Sequence, residues 1–392
     1  MSSVTKERIN QLIDKYIDKV IKLRHHIHQH PEIGHKEFKT CELIRNTLTK
    51  LDIDILPPFL KTDTVAILNR EKANKNITLR ADIDALPLCE NSNLPYSSSI
   101  PKMMHACGHD GHTAILLGTA MVLNELKENI NGSVRFVFQP AEEGFAGGKD
   151  LVEAGAIDNP KADAVLALHG WPGYKTGSIN YKSGIWSSAC AFIKIKIKGR
   201  GAHGARPELS ADPILISAKI IDSLYHIPSR SIGALESVII SICQIQSGSY
   251  PNIIPETAEM QGTIRFFNME LEPEIKRLVH RVLKSVCDMY DASYELEYKC
   301  NYIPMVNDAA FTEFCSNKLT KYFNRDDIVT FDKPLTGSED FAFFQKKAPG
   351  LMFRLGIGEN SPELHSNTFD FNDKAIKDGI LAFTALTLEY LL

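Results

Sequence analysis

The chain has 392 residues, 44% of them hydrophobic and 23% charged, with a net charge of −4. That length exceeds what a single core usually holds, so two domains are expected. The charge balance gives no electrostatic case for nucleic acid or for an anionic membrane as a partner.

No apolar run reaches the roughly 18 residues that a membrane-spanning helix needs. The N-terminal stretch is polar and charged, without the core of a signal peptide. Eight cysteines are scattered without the close spacing of a disulfide framework. This pattern reads as free thiols in a reducing, cytoplasmic setting.

Residues 5–30 carry an apolar stripe (Ile9, Leu12, Ile13, Tyr16, Ile17, Val20) at helical spacing, ending before Pro31. Histidines crowd its end, at 25, 26, 28 and 30, with His35 just beyond. On a regular helix they face several directions, so packing and surface roles are expected of them. Val65–Leu68 and Ile77–Leu79 read as short strands. The second runs into Asp82-Ile-Asp84, whose period-two alternation puts both carboxylates on one face. A turn at His105–His112 then feeds a helix expected over Thr113–Leu126.

Ser133–Gln139 alternates as a strand and ends in Pro-Ala-Glu142-Glu143-Gly144, where a loop turning at the glycine can aim both glutamates at one site. Gly147-Gly148-Lys149 lacks the spacing of a phosphate loop. Ala164–Leu168 is another buried-type strand, ending at His169. Strands that alternate with helices build a parallel sheet, and such sheets place ligands at the ends of their strands.

The texture changes near Gly184. Ala191–Lys198 alternates strictly, as in an antiparallel sheet with one wet face. A glycine-rich turn with His203 and Arg206 follows, then a helix at 212–224, strands at 238–245 and 258–266, a helix at 271–289 and a strand at 294–298. From about residue 303 the first texture returns, with a helix at 311–322, a strand at 350–356 and a closing helix at 374–391. The expected fold is α/β. A discontinuous catalytic domain (1–185 and 303–392) holds a mostly parallel sheet, and an α+β lid domain with an antiparallel sheet (186–302) is inserted in it. The edge of the inserted sheet could pair with a second copy.

The densest stretch is His-Ala-Cys-Gly-His-Asp-Gly-His, residues 105–112, with three imidazoles, one thiol and one carboxylate. Gly108 and Gly111 allow a tight backbone there. Such ligands suit zinc, manganese, cobalt or nickel better than calcium or magnesium. By itself the cluster leaves open a metal site or a buried cysteine beside surface histidines. Asp82/Asp84, Glu142/Glu143 and His169, all at strand ends, add to the case for a site.

Ten pieces in order carry a family resemblance. They are R-H-H-I-H-Q-H-P-E (24–32), L-R-A-D-I-D-A-L-P (79–87), M-H-A-C-G-H-D-G-H (104–112), Q-P-A-E-E-G (139–144), H-G-W-P (169–172), G-A-H-G-A-R-P (201–207), N-I-I-P (252–255), G-T-I-R (262–265), G-S-E-D-F (337–341) and L-H-S (364–366). Over nearly its whole length the chain resembles peptidase family M20, and within it the amidohydrolase branch of hippurate, indole-acetyl-amino-acid and N-acyl amino acid hydrolases.

The resemblance implies a hydrolase of the amide bond of N-acyl amino acids that uses two divalent metal ions (Mn, Zn, Co or Ni). Cys107 would bridge the ions, His109 and His169 would hold one, and Glu143 and His365 the other. Glu142 would be the general base, and Asp84 would orient a ligand from behind. His203 would be a lid donor to the oxyanion, reaching a neighbouring subunit's site. Asn252 and Arg265 would grip a substrate carboxylate. The wider family's His-x-Asp appears here as Asp82-Ile-Asp84, which fits the amidohydrolase branch, with His109 compensating. The expected partner is a small N-acyl amino acid, and the family's dimers suggest a homodimer through the lid. The rival readings are a dipeptidase or carboxypeptidase of the same family, and a non-catalytic binding protein of the same fold.

Overall fold

The computed structural model describes residues 4–72 and 74–391. The chain divides into two compact units. The outer unit holds the chain up to Trp186, Val306–Lys333 and the chain from Asp340 onward; the inner unit holds Ser187–Met305 and Pro334–Glu339. No helix among the described residues is long and apolar enough to cross a membrane.

The outer unit is built on an eight-stranded sheet. Its order is Asp54–Ile55, Thr64–Leu68, Ser133–Gln139, Asn76–Asp82, Ala164–Pro172, Gly350–Gly358, Ile179–Tyr181, Ile328–Thr330. The central strands Ser133–Gln139, Asn76–Asp82, Ala164–Pro172 and Gly350–Gly358 run parallel, and the strands flanking them, Thr64–Leu68 and Ile179–Tyr181, pair antiparallel. Every residue of Asn76–Asp82 and Ser133–Gln139 is buried, as a parallel sheet covered on both faces requires. The fold is therefore mixed α/β with a largely parallel central sheet.

The helix His109–Glu125 is buried from His109 through Leu123. A helix apolar all round belongs inside a domain, and this one packs against the helices Lys6–Gln29 and Lys374–Leu391. It begins at His109, four residues ahead of the expected Thr113. Gly108 makes this possible by taking a left-handed conformation (φ +87°) immediately before it. Gly111 serves a different end. It lies inside the helix, and a Cβ there would come within 2.4 Å of the Phe371 ring. The strand Ala164–Pro172 also runs past its expected end at His169. Residues 169–172 stay in the ladder because they pair with Arg354–Gly358.

The inner unit is an antiparallel sheet in the order Val238–Ser247, Thr257–Phe266, Ala189–Lys198, Ser293–Tyr302. Ile193, Ile195 and Ile197 turn inward and pack with Ile216, Ile220 and Leu224 of the helix Pro213–Arg230 and with Leu278 and Leu283 of the helix Glu272–Met289. Asp212 caps the first of these, its side chain accepting from the Ile214 amide at 2.9 Å. That helix continues past Leu224 to Arg230 despite Pro228, because buried Ile227 draws its last turn into the core.

Residues 334–339 go with the inner unit rather than with the flanking segments. Ser188 donates its amide to the Gly337 carbonyl (2.9 Å) and its hydroxyl to the Thr336 carbonyl (2.8 Å), and Leu335 bridges to Ser187.

Candidate metal centre

Because the central strands run parallel, their C-terminal ends lie on one edge of the sheet. Asp82 ends one strand, the 140–144 loop follows a second, and His169 lies near the end of a third. The start of the helix His109–Glu125 and the 364–367 turn complete the ring. Ligand atoms of Cys107, His109 and His169 all lie within 4.8 Å of one another, and so do those of Cys107, Glu143 and His365. Cys107 belongs to both groups. A third group of the same span joins His109, Glu142 and Glu143. His365, whose Nε2 lies 3.1 Å from Glu143 Oε1, has a left-handed backbone (φ +63°).

The outward-turned nitrogens fix which atoms are available. His109 Nδ1 donates to the Asp84 carbonyl at 2.9 Å, with the Asp84 carboxylate at 3.2 Å. Its Nε2 is buried and has no hydrogen-bond partner among the described residues. His169 Nδ1 donates to the Gly170 carbonyl at 2.8 Å, leaving Nε2 at 3.5 Å from the Cys107 sulfur. Metal-binding histidines are held in this way, the far nitrogen fixed by a carbonyl or carboxylate.

His112 differs, although it belongs to the same sequence cluster. Its Nδ1 meets Asp82 Oδ1 at 2.6 Å, and its Nε2 accepts the Gly170 amide at 2.7 Å. Both nitrogens are used, so His112 ties the helix to the strand that carries His169.

Electrostatics test whether these residues fit a cation pair. Burial, then Glu143 and Glu142, push the Cys107 thiol well above its ordinary range. A thiol so placed ionises only against positive charge. Burial lowers His169 well below the usual histidine value, which keeps it neutral as a ligand must be. His109 is also penalised by burial, but Asp82, Asp84 and Glu143 outweigh this and push it up to about 10. These carboxylates favour positive charge at the His109 ring, which a bound cation would supply in place of a proton. An unpartnered buried nitrogen, a thiol and these carboxylates fit divalent cations of the borderline kind.

Two buried ion networks hold the ligand segments. In the first, Arg80 donates to Asp82 (2.6 Å), Gln139 (2.8 Å) and Asp340 (2.8 Å), and Asp340 also accepts from Gln139 (2.8 Å) and from the Gly148 amide (2.7 Å). In the second, Arg24, fully buried on the first helix, binds Asp110 at 2.7 Å and reaches Asp370 and Asp373. His28 joins it, meeting Asp110 at 2.8 Å and Glu90 at 3.3 Å. Of the crowded histidines 25–35, His28 therefore has a buried packing role, and none of the five belongs to a metal-capable group among the described residues.

The other expected site residues belong to the inner unit. His203 and Asn252 are exposed; His203 pairs with Ile253 in a small ladder, Asn252 lies in the turn just before it, and Gly204 donates its amide to the Asn252 carbonyl at 2.8 Å. Arg265, half-buried on Thr257–Phe266, donates to the Thr336 carbonyl at 2.9 Å and to Ser338 Oγ at 3.3 Å. Sequence reasoning missed Arg80, His112 and Asp340 as holders of the site. The spacing of His112 from His109 by one helical turn, and the position of Asp340 inside one of the ten pieces, were the available signals.

A largely parallel sheet with two donor groups sharing one buried cysteine at its C-terminal edge is the architecture of a metal-dependent hydrolase. The profile of peptidase family M20/M25/M40 matches residues 78–389, and the chain belongs to that family. It is 36% identical over 392 residues to thermostable carboxypeptidase 2 of Saccharolobus solfataricus, covering 98% of each chain. It is 38% identical over 305 residues to the N-acyl-L-amino acid amidohydrolase of Geobacillus stearothermophilus, covering 78% of this chain and 82% of that one. Among solved structures it superposes on the Bacillus subtilis YXEP protein, a dinuclear metal-binding peptidase of the M20 family, with a TM-score of 0.81 and 33% identity over 96% of this chain and 99% of that one. The protein is a hydrolase of amide bonds, and the donor groups together with this neighbour support two divalent metal ions.

Proposed function

We propose that the chain cleaves the amide bond of an N-acyl amino acid and releases a carboxylate and the free amino acid. The observation that carries this reading is Cys107 shared by two donor groups, beside Glu142. In this assignment Cys107 would be shared by the metal pair, with His109 and His169 as further holders of one ion and Glu143 and His365 of the other. A bound pair supplies Lewis acidity and the means to use water as a nucleophile at neutral pH.

The chain's own residues do the rest. Glu142 takes the proton of the attacking water and passes it to the leaving amine. Its ligand atoms lie within 4.8 Å of those of His109 and Glu143, close enough to serve that water. Asp84 fixes the tautomer of His109, and its carboxylate also accepts the Glu143 amide at 3.0 Å, so one acid orients two ligands. From the family resemblance, Arg265 and Asn252 grip the substrate carboxylate, for which a planar guanidinium fork is suited. On the same ground His203 donates to the oxyanion.

The donor set accepts manganese, zinc, cobalt or nickel. Eight unpaired cysteines support a reducing, cytoplasmic setting. The edge strand Val238–Ser247, with Ile239 and Ile245 exposed, supports a homodimer formed through the inner unit.

Release of free amino acid from hippurate and from N-acetyl amino acids, followed colorimetrically with added Mn²⁺, tests the reading. Turnover of acyl amino acids is expected. Full metal loading with no turnover of any acyl amino acid or dipeptide would favour the binding-protein rival. A carboxypeptidase reading is favoured by the Saccharolobus relative, which covers 98% of the chain. Release of C-terminal residues from N-blocked peptides faster than from any simple acyl amino acid would decide for it.

A further inference from the structure

Glu37 is completely buried and forms no ion pair among the described residues. Burial, more than any other influence, raises its carboxyl to about 7. A buried acid without a cation is costly to keep, and such departures from ordinary packing concentrate at functional sites.

Its position offered it an easier task. Glu37 stands at the N-cap of the helix Phe38–Leu48, where an acidic side chain commonly caps the first free amides, yet that helix has no side-chain cap. The carboxylate is turned elsewhere. One oxygen accepts from Thr62 Oγ1 at 2.8 Å, and the other accepts the backbone amide of Ala141, also at 2.8 Å.

Ala141 is the residue before Glu142, and its backbone is left-handed (φ +58°), a conformation that residues with a Cβ rarely adopt. Its carbonyl accepts from the Gly147 amide at 2.8 Å. Two residues on, the Glu143 amide is held by Asp84. The loop is thus pinned on both sides of Glu142. On a continuing strand, residues 142 and 143 would point to opposite faces. The left-handed turn at Ala141 takes the chain off the strand's course and sets the direction in which the 142–143 segment leaves it, and the ligand atoms of both glutamates lie within 4.8 Å of that of His109.

We propose that Glu37 is a positioning residue for catalysis, which holds the strained turn at Ala141 and thereby aims Glu142 at the reacting water. This rests on the assignment of Glu142 as the base.

The test compares Glu37→Ala, Glu37→Gln, Ala141→Gly and the double variant Glu37→Ala/Ala141→Gly in the metal-loaded enzyme. Four quantities are read: kcat, KM, metal content, and amide exchange of a peptide spanning 139–146. Glu37→Ala is expected to lower kcat by up to about 100-fold, the scale of a misplaced catalytic group, with KM and metal content unchanged and faster exchange in that peptide. Glu37→Gln keeps an oxygen for the Ala141 amide and should stay within about threefold of wild type, since that hydrogen bond survives. Glycine tolerates the left-handed turn unaided, so the double variant should recover much of the loss.

Wild-type kcat in Glu37→Ala would overturn the proposal. So would an equal loss in the Gln variant, or a loss that tracks metal content. If Glu37→Ala does not fold, the Gln variant and the exchange of the 139–146 peptide decide: a large kcat loss with unchanged exchange rejects the role. Failure of the underlying assignment looks different, because Glu142→Gln would then keep its turnover whatever Glu37 does.

Discussion

The two units place functional groups in opposite ways. In the outer unit, the buried candidate ligands His109 and His169 are each fixed through their far nitrogen, and the segments that carry them are tied by Arg24, Arg80 and His112. In the inner unit, His203 and Asn252 are exposed, and half-buried Arg265 is held by a carbonyl and a hydroxyl. Preorganised groups in a dry pocket suit electrostatic chemistry, whereas loosely held surface groups suit recognition. The difference predicts that damage to the outer unit appears in kcat and metal content, and damage to the inner unit's proposed carboxylate grip, Asn252 and Arg265, in KM.

The largest effect expected is that of Glu142→Gln. It removes the proposed base while sparing the proposed ligands, so kcat should fall by roughly 10²- to 10⁴-fold with metal content unchanged by elemental analysis. Retention of the wild-type kcat would remove Glu142 from the mechanism. Next in size, Asp84→Asn should weaken metal affinity by about 10- to 100-fold, measured by chelator competition, because it loosens both His109 and Glu143. Unaltered affinity would show that the backbone carbonyl of Asp84 suffices to hold the imidazole. Arg265→Ala should raise KM by about tenfold at constant metal content, the worth of a charge-assisted hydrogen bond at a half-exposed site. A change in kcat alone would blur the contrast between the units.

The mildest test concerns stability. Burial lowers the pKa of His28, but Asp110 and Glu90 overcome it and raise the folded value to about 9, against an ordinary 6.5. With the folded value raised, the stabilisation is complete below 6.5 and is lost as pH climbs through about 9. The full span corresponds to at most about 3 kcal/mol. Melting temperature should therefore drop between pH 6.5 and 9.5 in the wild type and less so in His28→Gln. Parallel curves would exclude His28 as the source.

Much of the outer unit can be read from residues alone, because a strand such as Ala164–Leu168 is an apolar run, Ser133–Gln139 alternates, and the candidate ligands sit in short dense pieces such as 104–112 and 139–144. The same holds for the inner unit's strands, whose alternation is visible in Phe192 to Lys198. What escapes is whatever depends on partners remote in the chain. Arg80 and Asp340 are 260 positions apart, and Glu37 and Ala141 are 104 apart. Nothing local marks them as neighbours. Backbone geometry escapes as well. The left-handed turns at Ala141 and His365 occur at residues that usually avoid that region, so composition gives no hint of them. Periodicity also cannot tell that His112 spends both nitrogens inside the protein while His109 keeps one free.

Arg24 touches the opening turn of the 109–125 helix through Asp110, and through Asp370 and Asp373 it touches the segment that follows His365. One cation near the start of the polypeptide thus fastens ligand-bearing pieces from its middle and from close to its end. Both ends of that clamp must be present before it is complete, so a ribosome-bound nascent chain lacking the residues from Asp370 onward would hold Cys107 and His109 with Arg24 bound to Asp110 alone.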